Sequence, residues 1–209
     1  MSVNADLAGR RANDSESEVG LWVFLASEVM FFGLLFYGYT ITRMAHPQAF
    51  AIASAHTDVL LGSLNALVIF TSSLTVALAA RSLRLGAQRA SFWLLAVTLT
   101  LGVLFLAIKC YEYYGDIDKH LVPWGDFALH GPLAGGERMF FFMYFVMTGA
   151  HAIHLTVGLG LLAFMLAGVG RGAYTQKNTE AVELTALYWA VVDTVWIFLY
   201  PILYLVHRS

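Results

Sequence analysis

Four ionisable side chains stand inside long apolar stretches of this chain, and two more follow at the edge of one. Glu28 lies between Ser27 and Met30-Phe31-Phe32, and Asp193 lies between Trp189 and Trp196. His151 and His154 are three residues apart, and Glu112 follows Lys109 by the same spacing. A charge at the centre of a bilayer costs about 2.5 kcal/mol or more, so each carboxyl has to have a purpose or a partner. Glu28 reads either as a proton-handling or headgroup-binding carboxyl, or as a neutral acid hydrogen-bonded to a neighbouring helix. Asp193 reads as an interhelical hydrogen bond or intersubunit ion pair before it reads as a transport group. The i, i+3 histidines share one helix face, where two imidazoles could ligate a metal or haem. Bis-histidine haem, however, takes its ligands from opposite sides of the iron. The remaining histidines, His46, His56, His120, His130 and His207, fall in expected loops or at helix ends. Polar helix–helix or lipid contacts are therefore expected of His151 and His154, and no metal site is expected within the chain. Lys109 and Glu112 are expected to pair where their helix leaves the membrane. The single cysteine, Cys110, rules out an internal disulfide framework.

The elements that must position these groups follow from composition. Of 209 residues, 59% are hydrophobic and 12% charged, whereas soluble domains carry about 25% charged residues. Residues 21–42, 59–80, 91–108, 139–169 and 184–206 contain Glu28 and Asp193 as their only acids. Each is long enough to cross a hydrocarbon core, which takes ~20 helical residues, and none alternates as a barrel strand would. The expected fold is all-α, an integral membrane bundle of five transmembrane helices spanning residues 20–209. Residues 1–19 are polar, lack the apolar core of a signal peptide, and are expected to form a short tail. Loops are expected over 43–58, 81–89, 111–138 and 170–183. The 81–89 turn holds Arg81, Arg84 and Arg89 with no acid, and short basic loops stay cytoplasmic. That puts the N-terminus inside and the C-terminus outside. A net charge of −2 supplies no basic footprint for nucleic acid.

Taken together, the apolar segments resemble subunit III of the haem-copper cytochrome c oxidases, in its five-helix form. The resemblance runs from Gly20-Leu21-Trp22 through Ser27-Glu28, Leu64-Asn65, Thr71-Ser72-Ser73 and Glu112-Tyr113. It continues into Thr148-Gly149-Ala150-His151-Ala152-Ile153-His154 and ends with Tyr188-Trp189-Ala190-Val191-Val192-Asp193-Thr194-Val195-Trp196. One position departs from the pattern: Ala190 stands where the family commonly has a histidine. The Trp196–Pro201 ending also looks close to the subunit III-like proteins found with nitric oxide reductases.

The resemblance implies a non-catalytic accessory subunit of a proton-pumping terminal oxidase in a bacterial plasma membrane. It implies no redox centre in this chain, with haem and copper held by the partner subunit I. It further implies phospholipid bound near Glu28, His154, His151 or Glu112, in a cleft between the first two helices and the other three. Support of proton uptake and of subunit I stability would follow. The alternatives are a subunit III-like protein of a quinol oxidase or nitric oxide reductase, or a stand-alone proton channel using Glu28 and Asp193. A transporter would be expected to show inverted repeats and broken helices, and neither is visible in the sequence.

Overall fold

The computed structural model describes the backbone of residues 2–125, 127–176 and 178–205; the side chains of residues 2–19 and of Leu21 lie outside the description. Among the described residues there are six helices: α1 (Ser2–Ala45), α2 (Pro47–Ser54), α3 (Val59–Arg84), α4 (Gln88–Asp118), α5 (Ala134–Gly170) and α6 (Glu180–Tyr204). Five of them contain stretches long and apolar enough to cross a membrane, the first over Trp22–Ala45. At 1.5 Å per residue the 37 residues of α5 reach about 55 Å, well beyond a ~30 Å hydrocarbon core. Its ends must therefore project into the headgroup regions.

The core lies among α3, α4, α5 and α6. α3 packs most extensively on α4, and α6 packs on both α3 and α5. The α3–α4 turn is closed by Gly86 at φ 78°, a left-handed conformation that glycine adopts without strain. Asp58 caps α3 by accepting from the Leu60 and Leu61 amides at 3.0 and 3.1 Å, which satisfies two of the free N–H groups at the helix start. Farther in, Thr75 and Thr98 join α3 to α4 at 2.8 Å. Gly102 and Gly158 let the buried Trp189 ring approach, since an added Cβ would lie 2.7 and 2.9 Å from ring carbons.

Several expectations change here. Residues 2–19 are helical and run on into α1; polarity argues against burying that segment but not against its being helical. The expected 43–58 loop contains α2, with Pro47 in its first turn and Ala49, Phe50 and Ala53 buried. Proline suits that position because the first-turn N–H groups have no helical partner. α4 runs on to Asp118, almost three turns past the apolar stretch, so Lys109 and Glu112 lie inside a helix rather than at its exit. Nor do the first two spans form a group apart: α1 lies against α5, α6 and α2, while α3 belongs with α4 and α6. Asp126, Lys177 and residues 206–209, including His207 and Arg208, lie outside the described residues.

Candidate functional site: polar clusters inside the bundle

Three polar clusters occupy the apolar spans. The first joins α1 to α5, where His154 Nε2 lies 2.8 Å from Glu28 Oε2. His154 Nδ1 lies 2.7 Å from the Ala150 carbonyl. A carbonyl can only accept, so Nδ1 carries a proton. The approach is short but poorly aligned, leaving Glu28 Oε2 without a well-directed hydrogen bond. Phe32 and Phe31 flank the imidazole at 5.2 and 5.8 Å between ring centroids. Tyr188 on α6 donates to the His154 carbonyl at 2.9 Å, so all three helices meet at this point. Glu28 also lines an apolar groove of about 330 Å³ between α1 and α6, with Phe32, Phe36, Val195 and Phe198 among its walls.

The second cluster surrounds Asp193, which is 2% exposed. Ser73 donates to its Oδ2, and Ser72 Oγ stands 3.3 Å from the same atom. Ser72 has one proton to give, and the Ile69 carbonyl at 2.8 Å competes for it; the Ser73 bond is thus the firm one. Trp189 Nε1 donates to Ser72 at 3.0 Å. The Asp193 contact is therefore interhelical and within the chain, made by serines of the Thr71-Ser72-Ser73 motif.

The third cluster is denser. Lys109 Nζ donates to Glu112 Oε2 at 3.0 Å, to Tyr204 at 2.7 Å and to Tyr144 at 3.2 Å, using all three ammonium protons. Tyr144 and Tyr204 in turn donate to Glu112 Oε1 at 2.9 and 2.6 Å. The rings of Tyr144, Tyr113, Trp196 and Tyr204 surround the ammonium at 4.9–5.4 Å, in the range of cation–π attraction. Lys109 and Glu112 side chains are 4% and 3% exposed, so this is a buried pair and not the interfacial one that the sequence suggested. Enclosure leaves Glu112 no surface toward lipid.

His151 and His154 do not act together. Three residues advance a helix by about 300°, so the two side chains diverge by about 60°. His154 turns toward α1, while His151, fully buried, lies against Trp196 at 5.2 Å and Phe105 at 5.5 Å between ring centroids. Among the described residues no three His, Cys, Asp or Glu side chains converge as metal ligands would. Tyr144 and Tyr204, which complete the third cluster, were not visible as functional residues in the sequence, because nothing in their spacing relates them to Glu112. Ala190 borders a groove of about 650 Å³ with Trp22, Ser73, Val76 and Leu187, on the side where the histidine usual in the family would stand.

Residues 4–207 match the family model described as cytochrome c oxidase subunit III. The chain belongs to that family. Among subunit III relatives, cytochrome c oxidase subunit 3 of Formosania lacustris is 29% identical over 191 residues, covering 88% of this chain and 67% of its own length. A protein of Staphylococcus epidermidis described as a probable quinol oxidase subunit 3 is 26% identical over 214 residues, covering 99% of this chain and 97% of its own. In Aeropyrum pernix, a haem-copper oxidase subunit I+III is 28% identical over 200 residues, which amount to 22% of that fused protein. The all-helical, multi-pass membrane architecture is that of a subunit III, and the chain is an accessory oxidase subunit of this kind.

Proposed function

We propose that this chain is the non-catalytic subunit III of a haem-copper terminal oxidase in a bacterial plasma membrane, packed against a subunit I that holds the haem and copper. The observation that carries this reading is how the polar side chains of the spans are used. Glu28, His154, Asp193, Lys109 and Glu112 are engaged with other residues of the same chain, and His151 is enclosed by aromatic rings. Such a donor set holds helices together; it offers no ligand pair on opposite sides of an iron. The Aeropyrum relative, whose printed description joins subunits I and III in one protein, supports contact with subunit I. Phospholipid is assigned to the apolar groove beside Glu28, with its headgroup toward the Glu28–His154 pair. The arginines of the 81–89 turn support a cytoplasmic N-terminus.

Purification by a tag on this chain tests the reading. The complex should show haem absorption and the separated chain should be colourless. A haem band that stays with the separated chain and vanishes in His151→Ala or His154→Ala would overturn it. A quinol-oxidising parent complex is the second reading, favoured by the near-complete mutual coverage with the staphylococcal relative. Assaying the purified complex with reduced cytochrome c and with a quinol separates the two.

A further inference from the structure

Between the Asp193 and Lys109 clusters the bundle interior contains polar atoms that the protein itself does not satisfy. Asn65 and His151 are fully buried, as is Trp196. Among the described residues, both side-chain polar atoms of Asn65, both ring nitrogens of His151, Trp196 Nε1 and Asp193 Oδ1 lack a hydrogen-bond partner.

His151 and Trp196 are in ring contact, and the Lys109 ammonium lies 5.3 Å from the Trp196 ring. The register of α3 on α6 places Asn65. Gly62 meets Tyr204 and Tyr200, Ser63 bonds Tyr200 at 2.6 Å, and Ser72 meets Trp189 and Asp193. Asn65 falls between these contacts, two turns before Ser72 on the same helix face, and hence level with Trp196. Three helices therefore carry unpartnered polar atoms at the level that separates the two clusters.

We infer that this layer is a binding site for ordered water molecules, which bridge Asn65, His151 and Trp196 and link Asp193 to the Lys109–Glu112 pair. The chemistry selects water. The Trp196 indole can only donate and Asp193 Oδ1 accepts. Asn65 and neutral His151 each do both, so a bridging molecule must donate and accept at once. Phe105, fully buried, packs against both His151 and Trp196, which leaves little room for anything larger. Buried water commonly satisfies groups of this kind with about three hydrogen bonds each. The resulting polar seam runs from Asp193 to Tyr204, about 16 Å along α6. It continues toward the α4 end at Asp116, which is 5% exposed and also carries an unpartnered oxygen.

The intact oxidase complex in lipid nanodiscs, imaged at a resolution that shows ordered water, is the test. Density within hydrogen-bond distance of at least two of Asn65, His151, Trp196 Nε1 and Asp193 Oδ1 is expected. Side chains bonded directly to one another, or packed dry, would overturn the inference. His151→Leu and His151→Gln supply a second readout in the same complex. Leucine removes both ring partners of the water and should lower the thermal dissociation midpoint by a few degrees, whereas glutamine keeps a donor and an acceptor and should stay close to wild type. A leucine variant as stable as wild type, or more so, would mean a dry site and defeat the proposal.

Discussion

His154 connects two helices through its two ring nitrogens: Nδ1 donates to the Ala150 carbonyl of its own helix at 2.7 Å, and Nε2 meets Glu28 Oε2 of α1 at 2.8 Å. The contact makes Glu28 both a strut for α1 and a carboxyl at the edge of an apolar groove. Two substitutions separate these roles. Glu28→Gln keeps the shape and can donate its amide N–H to Nε2, so the complex should assemble normally. If the carboxyl acts through ionisation, that variant should lose activity progressively during turnover, and faster at high pH, where proton supply limits. Glu28→Ala leaves the imidazole unpaired and should cost about 1–3 kcal/mol, seen as weaker retention of this chain during purification. Loss of oxygen reduction from the first turnover in an assembled Glu28→Gln complex would contradict both roles.

The Trp189 ring is held between two glycines on different helices. At Gly158 an added Cβ would sit 2.9 Å from Trp189 and 3.1 Å from Tyr188, whereas at Gly160 nothing lies within 4 Å. Gly158→Val should therefore push α5 away from α6 and cost about 1–3 kcal/mol or more by overpacking. Gly160→Ala should be neutral or stabilising by up to ~1 kcal/mol, since alanine is the better helix former. Thermal aggregation of the detergent-solubilised complex would compare them, and equal effects at the two sites would refute the packing argument.

The spans were legible in the sequence because hydrocarbon imposes a minimum length and excludes charge, and both leave plain marks. Glu28 and Asp193 stood out for the same reason. The ends of the elements were less legible. Tyr111–Asp118 is polar enough to look like loop, yet Glu112 and Asp116 are buried, because α5 and α6 bring tyrosines to the α4 face that carries them. Sequence periodicity records which residues share a face but not which neighbour that face meets. That is why His151 and His154 read as a pair although the fold sends them to different helices. Tyr204, ninety-two positions from Glu112, gave no local sign of its partner.

Asp193 tests how much a buried carboxyl in this bundle depends on its charge. Its firm bond comes from Ser73, whose hydroxyl donates to Oδ2, and an amide oxygen accepts that bond as well. Asp193→Asn should therefore leave assembly and stability within about 1 kcal/mol of wild type. Asp193→Leu leaves the Ser73 hydroxyl without this acceptor and should cost about 1–3 kcal/mol. Subunit retention and thermal midpoint report on both variants. An assembled Asp193→Asn complex with wild-type stability but altered proton pumping would show that the charge itself is used.

The Lys109 cluster carries the sharpest energetic prediction, because every ammonium proton and both Glu112 oxygens are engaged. Burying two charges is costly, and their attraction offsets that cost only while both are present. Lys109→Met leaves Glu112 as an uncompensated anion among aromatic rings, held by two tyrosine hydroxyls. It should destabilise the chain by about 3–5 kcal/mol, enough to deplete it from the assembled complex. Glu112→Gln leaves the lysine charge unpaired and should be similarly severe. The double variant Lys109→Met with Glu112→Gln removes both charges, while the amide still accepts from Tyr144 and Tyr204. It should recover most of the loss, so the double-mutant cycle should show a coupling of several kcal/mol. Additive effects of the two single changes would mean that the pair is not energetically coupled and that the tyrosines alone hold α4, α5 and α6 together at this end.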